Sequence, residues 1–263
     1  MTEGRPPAFE ARALEKHFGA RTALAPLDLR IEQGESVALV GPSGSGKTTL
    51  LNLMAGLLAP DGGELRLLGR PVQDWDRRGR SARVGMMHQQ FDLVPNLSVL
   101  HNVLAGNLGR WSLGRALRSL VAPVGGGEVE EVLAEVGLEG RARERTSRLS
   151  GGEQQRVALA RLLVQNPHAL LADEPVSSLD PARAEALVEL LVRLASAGGH
   201  TLVASLHTVE LARHHFARIV ALRDGAVMFD RAAAEVTSGE LEMLYRLEAA
   251  DVASGTAALT EGV

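Results

Sequence analysis

An α/β fold with a helical subdomain inserted in it is what the 263-residue sequence predicts. Three observations carry that expectation. The apolar run Ser36-Val37-Ala38-Leu39-Val40 leads into a glycine-rich loop, Gly41 to Thr49, and then into a helix whose packed face is Leu50, Leu51, Leu53 and Met54. From Ala169 onward, short apolar strands alternate with helical periods. Between these parts, residues 91–148 lose the strand pattern and turn helical.

Each element follows from its local pattern. Residues 8–33 read as short strands around Gly19 and Pro26, with alternation in Leu27, Leu29 and Ile31. Pro60-Asp61-Gly62-Gly63 marks a turn, and Glu64 to Gly69 a strand. Gln73 to Arg83 is polar and reads as exposed, while Val84 to Met87 is a buried strand ending at His88-Gln89-Gln90. Val99 to Leu108 reads as helical, and Gly125-Gly126-Gly127 as a break. Glu128 to Gly137 is an amphipathic helix, with Val129, Val132, Leu133 and Val136 spaced i, i+3, i+4 and i+7. Strands at 169–173, 201–205 and 217–223 are separated by helices near 181–196 and 208–214, and a short helix is expected at 238–250. The whole reads as one domain over 1–250, with core segments about 8–90 and 165–235, a helical subdomain about 91–164 and a flexible tail at 251–263.

Composition narrows the classes. Apolar content of 45% supports a substantial core, and aromatics at 3% mean that Leu, Val and Ala must build it. A formal charge of −4 gives no electrostatic reason to expect nucleic acid as a partner. With no cysteine, disulfides and thiolate metal sites are excluded. No apolar run approaches the ~18 residues that span a bilayer. The stretch from Met1 to Pro7 has no apolar core of a secretory signal, so the chain reads as cytosolic, reaching a membrane only through a partner.

The residues that carry chemistry fall in a fixed order. Gly41-Pro42-Ser43-Gly44-Ser45-Gly46-Lys47-Thr48-Thr49 matches G-x-x-x-x-G-K-[ST]. Its backbone N–H groups and the following helix N-terminus suit an anion. Lys47 is one of two lysines against twenty-six arginines, and its compact ammonium fits terminal phosphates where a planar guanidinium would crowd. Thr48 offers a hydroxyl to Mg²⁺. The apolar strand His168 to Ala172 ends in Asp173, placed for the Mg²⁺ shell, and Glu174, a natural general base for an attacking water. Leu149-Ser150-Gly151-Gly152-Glu153 has the spacing of a capping box, which would serve a well-capped helix. It also reads as a second anion site, built from the Ser150 hydroxyl and the N–H groups of Gly151 and Gly152. Two phosphate-facing segments so far apart in one chain imply two chains sharing each nucleotide.

In this order and spacing, residues ~8–250 resemble the ATP-binding subunit of an ABC transporter, whose signature is L-S-G-G-Q, with Glu153 here in the fifth place. Phe18 stands where the family stacks an aromatic ring on adenine. Gln89 matches the glutamine that links Mg²⁺ and water to the membrane partner. Ser177-Ser178-Leu179-Asp180 resembles the D-loop, and His207 the switch histidine facing the γ-phosphate. His88, His101, His168, His200, His214 and His215 match no such position. The resemblance implies a P-loop NTPase core of ABC ATPase type, with an N-terminal antiparallel β subdomain and an inserted α-helical subdomain. It implies ATP hydrolysis with Mg²⁺ by a head-to-tail homodimer. In cis it assigns Lys47, Thr48, Gln89, Asp173, Glu174 and His207; in trans, Ser150, Gly151, Gly152 and Asp180. Two transmembrane permease subunits and an extracytoplasmic solute-binding protein are the implied partners, on the cytoplasmic face of the inner membrane.

Met87 to Val99, His101 to Arg110, Ser205-Leu206-His207, Leu222 to Gly225, Phe229-Asp230 and Leu241 to Tyr245 are similar to the phosphonate-import branch of these ATPases, a resemblance that implies uptake of a phosphonate or a related phosphorus oxyanion such as phosphite. His88 departs from the aromatic residue common there. The same motifs would serve another transporter, or a membrane complex doing mechanical work such as lipoprotein extraction or cell division. The partners would discriminate these. A ribosome-acting member would resemble a tandem duplicate and a DNA-acting one would carry a long coiled-coil insertion; this chain has one set of motifs and a short insertion.

Overall fold

Alternation of apolar and polar residues builds the opening hairpin, β1 (Phe9–Phe18) and β2 (Arg21–Ile31). The computed structural model describes residues 5–88, 92–121, 125–177 and 179–245. Gln89, Ser178 and the segment 246–263 therefore lie outside the described residues, as does the end of the helix expected at 238–250, which is helical over 238–245. Gly19 turns the hairpin as expected, but Pro26 does not break it. β2 is the edge of its sheet, where the missing proline N–H costs no ladder bond.

The chain continues through β3 (Ser36–Val40), α1 (Lys47–Met54), β4 (Gly62–Leu67), the two-residue β5 (Arg70–Pro71) and the short α2 (Arg77–Ser81) to β6 (Val84–Met87). Four helices follow: α3 (Val99–Leu104), α4 (Leu113–Val121), α5 (Gly126–Glu135) and α6 (Gly151–Gln165). The helix expected over Val99 to Leu108 keeps α geometry only to Leu104 and tightens into a 3₁₀ turn through Ala105–Gly109. A side chain at Gly106 would meet the Arg161 carbonyl of α6 at 2.2 Å, so this turn lies directly on that helix. The remainder is β7 (Ala169–Ala172), α7 (Pro181–Ala197), β8 (Thr201–Ser205), α8 (Val209–His215), β9 (Arg218–Arg223) and β10 (Ala226–Ala232).

The strands form two sheets. One is antiparallel, in order β2-β1-β4-β5; the other runs β10-β9-β3-β8-β7-β6, parallel except for β10 at its edge. Strands buried on both faces read as continuous apolar runs, and side-chain alternation divides them between two cores. Val37, Leu39, Leu171, Val203 and Val220 face α1 and the antiparallel sheet. Ala38, Val40, Leu170, Ala172, Leu202, Ala204 and Ile219 face the helices, among them α6 and α7. Helix α1 is thus clamped between the two sheets by Leu50, Leu51, Leu53 and Met54, which holds the loop before it in place.

Candidate functional site

Parallel strands release their following loops at one edge of the sheet, and ligands of open α/β sheets bind at that carboxyl edge. Here β3 runs into the glycine-rich loop, β7 into Asp173-Glu174 and β8 into Leu206-His207. The register fixes their alignment: Leu39 pairs with Ser205, and Ala172 with Ala204. β3 also lies between β8 and β9, the place in the strand order where a crevice opens.

The loop wraps back over α1 in left-handed backbone at Gly41 (φ 147°) and Gly46 (φ 106°). A Cβ at Gly41 would stand 2.0 Å from the Leu222 carbonyl of β9, and one at Gly46 2.6 Å from Leu24. The loop is therefore seated against both sheets. We expect Gly41→Ala to destabilise the fold by about 2–3 kcal/mol, from the close contact and the strained φ together. Thermal melting should show a drop of roughly 5–10 °C. The Lys47 ammonium, buried at the loop, donates to the carbonyls of Gly41 (2.7 Å) and Pro42 (2.9 Å). Phe18, Arg21, Glu174 and the segment Ser43–Thr49 line a cleft of about 520 Å³, in which the Phe18 ring is half exposed.

Thr48 and Asp173 meet although 125 positions apart: the threonine hydroxyl donates to Asp173 Oδ1 at 3.1 Å. The same oxygen accepts from the Ser205 hydroxyl at 2.8 Å, and Ser205 Oγ in turn accepts the Glu174 N–H at 2.8 Å. Glu174 is held in left-handed backbone (φ 48°), and its Oε1 lies 2.6 Å from His207 Nε2. Strained non-glycine backbone persists where surrounding contacts over-determine it. Here the Ser205 bond supplies one such contact. A hydroxyl and a carboxylate are hard oxygen donors that fit Mg²⁺, an ion that keeps its other positions for phosphate and water. Among the described residues, no group of three or more His, Cys, Asp or Glu is placed to hold a metal unaided. A cation here would need those further ligands.

Ser150 caps α6 in a full capping box: its hydroxyl accepts the Glu153 N–H, and Glu153 Oε2 accepts the Ser150 N–H at 2.8 Å. The Ser150 N–H and the Ser150 hydroxyl, each donating to Oε2 at 2.8 Å, hold the Glu153 carboxyl below the usual carboxylate range, as does Arg141 at 3.2 Å. The box is thus complete at neutral pH, and its contribution is lost as pH falls through that lowered value. Gly151 and Gly152 open the helix, and a second cleft, of about 440 Å³, lies beside it, lined by Ser150, Gly152, Arg156, Leu179 and Arg183. Asp180 caps α7 next to this cleft, accepting the Arg183 N–H at 3.1 Å. Gln155, 1% exposed, ties α6 to the first site by donating to the Pro175 carbonyl at 3.0 Å.

The sequence-predicted residues therefore fall into two groups within one chain. Phe18, the loop from Gly41 to Thr49, Asp173, Glu174 and His207 gather at the carboxyl edge. Ser150, Gly151, Gly152 and Asp180 gather at the second cleft. Ser205 was given no role from the sequence, where it stands only in the stretch Ser205-Leu206-His207, yet it joins Asp173 to Glu174 from a fully buried position. A serine following the apolar run Leu202–Ala204, two residues before His207, was the available signal.

A family model for the ABC transporter matches residues 24–177. The phosphonates import ATP-binding protein PhnC of Anaeromyxobacter dehalogenans is 50% identical over 257 residues, 96% of this chain, which spans about half (51%) of that relative. The PhnC 1 protein of Pseudomonas syringae pv. syringae is 46% identical, the match covering 89% of each chain. Among solved structures, the dimeric cassette MJ0796 bound to ADP and phosphate aligns with a TM-score of 0.70 and 33% identity, over 87% of this chain and 100% of that one. The cbiO1 cassette of Clostridium perfringens aligns at 0.76 and 25%, over 94% and 97%.

Proposed function

The chain belongs to the ABC transporter family, and on that premise we propose that it is the ATP-hydrolysing subunit of a phosphonate importer. The observation that carries the ATPase reading is the Thr48–Asp173 contact, which joins the phosphate loop to the acidic strand end beside Glu174 and His207. The phosphonate assignment is supported by the relatives named for phosphonate import, two of them at 46–50% identity across most of this chain.

In this reading Phe18 stacks on adenine, and the loop N–H groups with Lys47 hold the phosphates. Thr48 and Asp173 would hold Mg²⁺, with Gln89, from outside the described residues, as a further ligand; when bound, the ion would offset phosphate charge. Glu174 orients a water and takes its proton as the water attacks the terminal phosphorus, whose bond to the oxygen bridging to the β-phosphate breaks, so that ADP leaves. His207, bonded to Glu174, fixes that carboxylate and faces the γ-phosphate. Two copies close head to tail, so that Ser150, Gly151, Gly152 and Asp180 of one chain complete the site of the other. Support comes from the separation of the two clefts within one chain and from the dimeric state of MJ0796.

No helix among the described residues is long and apolar enough to cross a membrane. In this reading, which the relatives named for phosphonate import support, the subunit works from the cytoplasmic face of the inner membrane, on two permease subunits fed by an extracytoplasmic solute-binding protein. The test is to purify the chain with its membrane partners and to measure ATP hydrolysis with the binding protein and candidate ligands. Stimulation by phosphonates is expected. Stimulation by amino acids or sugars, with none by phosphonates, would overturn the substrate assignment and leave the ATPase reading standing.

A further inference from the structure

The hairpin that carries Phe18 brings a second side chain into the nucleotide cleft. Phe18 closes β1 and pairs across the turn with Arg21, the first residue of β2. Directly paired residues project to the same face of a two-stranded ribbon, and both line the cleft with the phosphate loop. The Arg21 guanidinium lies against that loop: a Cβ at Gly44 would stand 3.1 Å from its Nη2.

The cations around the cleft differ in their engagements. Lys47 approaches from α1 and is buried, with its ammonium on two loop carbonyls. Lys16, on the same hairpin as Arg21, is paired with Asp61 at 3.1 Å and sits 5.5 Å from the Phe18 ring centre. Arg21 is exposed and, among the described residues, has no carboxylate within ion-pair distance. Among the described residues, Glu174 is the one acid in the cleft lining.

A guanidinium offers several N–H donors in a fixed fork that matches phosphate oxygens two at a time. Held against the loop rather than over the ring, that fork is placed for the phosphate chain and not for the base. We propose that Arg21 binds the phosphates of the nucleotide in cis, gripping them from the hairpin side while Lys47 and the loop N–H groups hold them from below. The inference rests on the ATPase reading and deepens it, because the grip comes from a residue outside every motif of the sequence.

The test is fluorescence titration of the purified full chain with a methylanthraniloyl derivative of ATP. Competition by ATP, ADP and adenosine is then compared for the parent, Arg21→Ala and Arg21→Lys. Hydrogen bonds to charged groups, discounted for solvent exposure, set the expected loss in Arg21→Ala at about tenfold for ATP and ADP. Adenosine should compete equally well in parent and variant, and Arg21→Lys should recover part of the loss. The parent's affinity for ATP should also fall more steeply with added salt than that of Arg21→Ala. Parent-like affinity for ATP in Arg21→Ala would overturn the inference alone, and so would an equal loss for adenosine and ATP, which would mark a role in shaping the hairpin. A parent chain that binds no nucleotide would overturn the ATPase reading and this inference with it.

Discussion

Glu174→Gln is expected to bind ATP, accumulate as an ATP-bound dimer and lose turnover by on the order of 10²–10⁴-fold, the usual range for removing a general base. The local geometry makes this substitution a clean one. What holds residue 174 in left-handed backbone includes its own N–H on Ser205, a contact that glutamine keeps. The amide oxygen can also still accept from His207 Nε2, as the carboxylate does at 2.6 Å. The negative charge and with it the capacity to take a proton from water are removed, since a neutral amide is not a base at any working pH. Phosphate release measures the loss of turnover, and size-exclusion chromatography with and without ATP measures the trapped dimer. Parent-like phosphate release by this variant would remove Glu174 from its role and send the search for the base elsewhere in the cleft.

How much of this could be read from sequence differs by element. The loop and its flanking strand and helix were legible because each depends on neighbours in the chain: glycines at the turn, an apolar run before it and an apolar helix face after it. The capping box at Ser150 and Glu153 was legible for the same reason. The extent of β2 was not, because Pro26 signals a break unless the strand is known to be an edge, and edge position is a property of the sheet. The strand β10 went unread although Asp224-Gly225 is a hairpin signal, with both residues in left-handed backbone (φ 51° and 78°) between apolar runs. The roles of Ser205 and Arg21 were not legible for a deeper reason. Ser205 matters because parallel register sets β8 beside β7, and Arg21 because the hairpin folds over the loop. Neither fact exists before tertiary structure does.

Ser150→Arg is the sharper test of the shared site, because it separates holding the nucleotide from closing on it. Loss of the Ser150 hydroxyl should cost about 1 kcal/mol of helix capping. That leaves α6 in place, since Val157, Ala158, Leu159 and Leu162 bury it in the core. The first cleft, with Phe18 and the loop from Ser43 to Thr49, does not include residue 150, so ATP affinity of the separate chain is expected to remain that of the parent. The second cleft changes outright. An arginine side chain would fill part of its roughly 440 Å³ and add a third guanidinium beside Arg156 and Arg183, where, in the proposed head-to-tail dimer, a phosphate of the other chain's nucleotide would seat against glycine N–H groups. Combined with Glu174→Gln, the substitution should return the trapped dimer to monomer at saturating ATP, while Ser150→Ala in the same background should weaken the dimer far less. If the Ser150→Arg, Glu174→Gln double variant dimerises on ATP as readily as Glu174→Gln alone, residues 150–152 do not face the partner's nucleotide. The head-to-tail arrangement would then have to be abandoned, even though the loop, Asp173 and Glu174 kept their places.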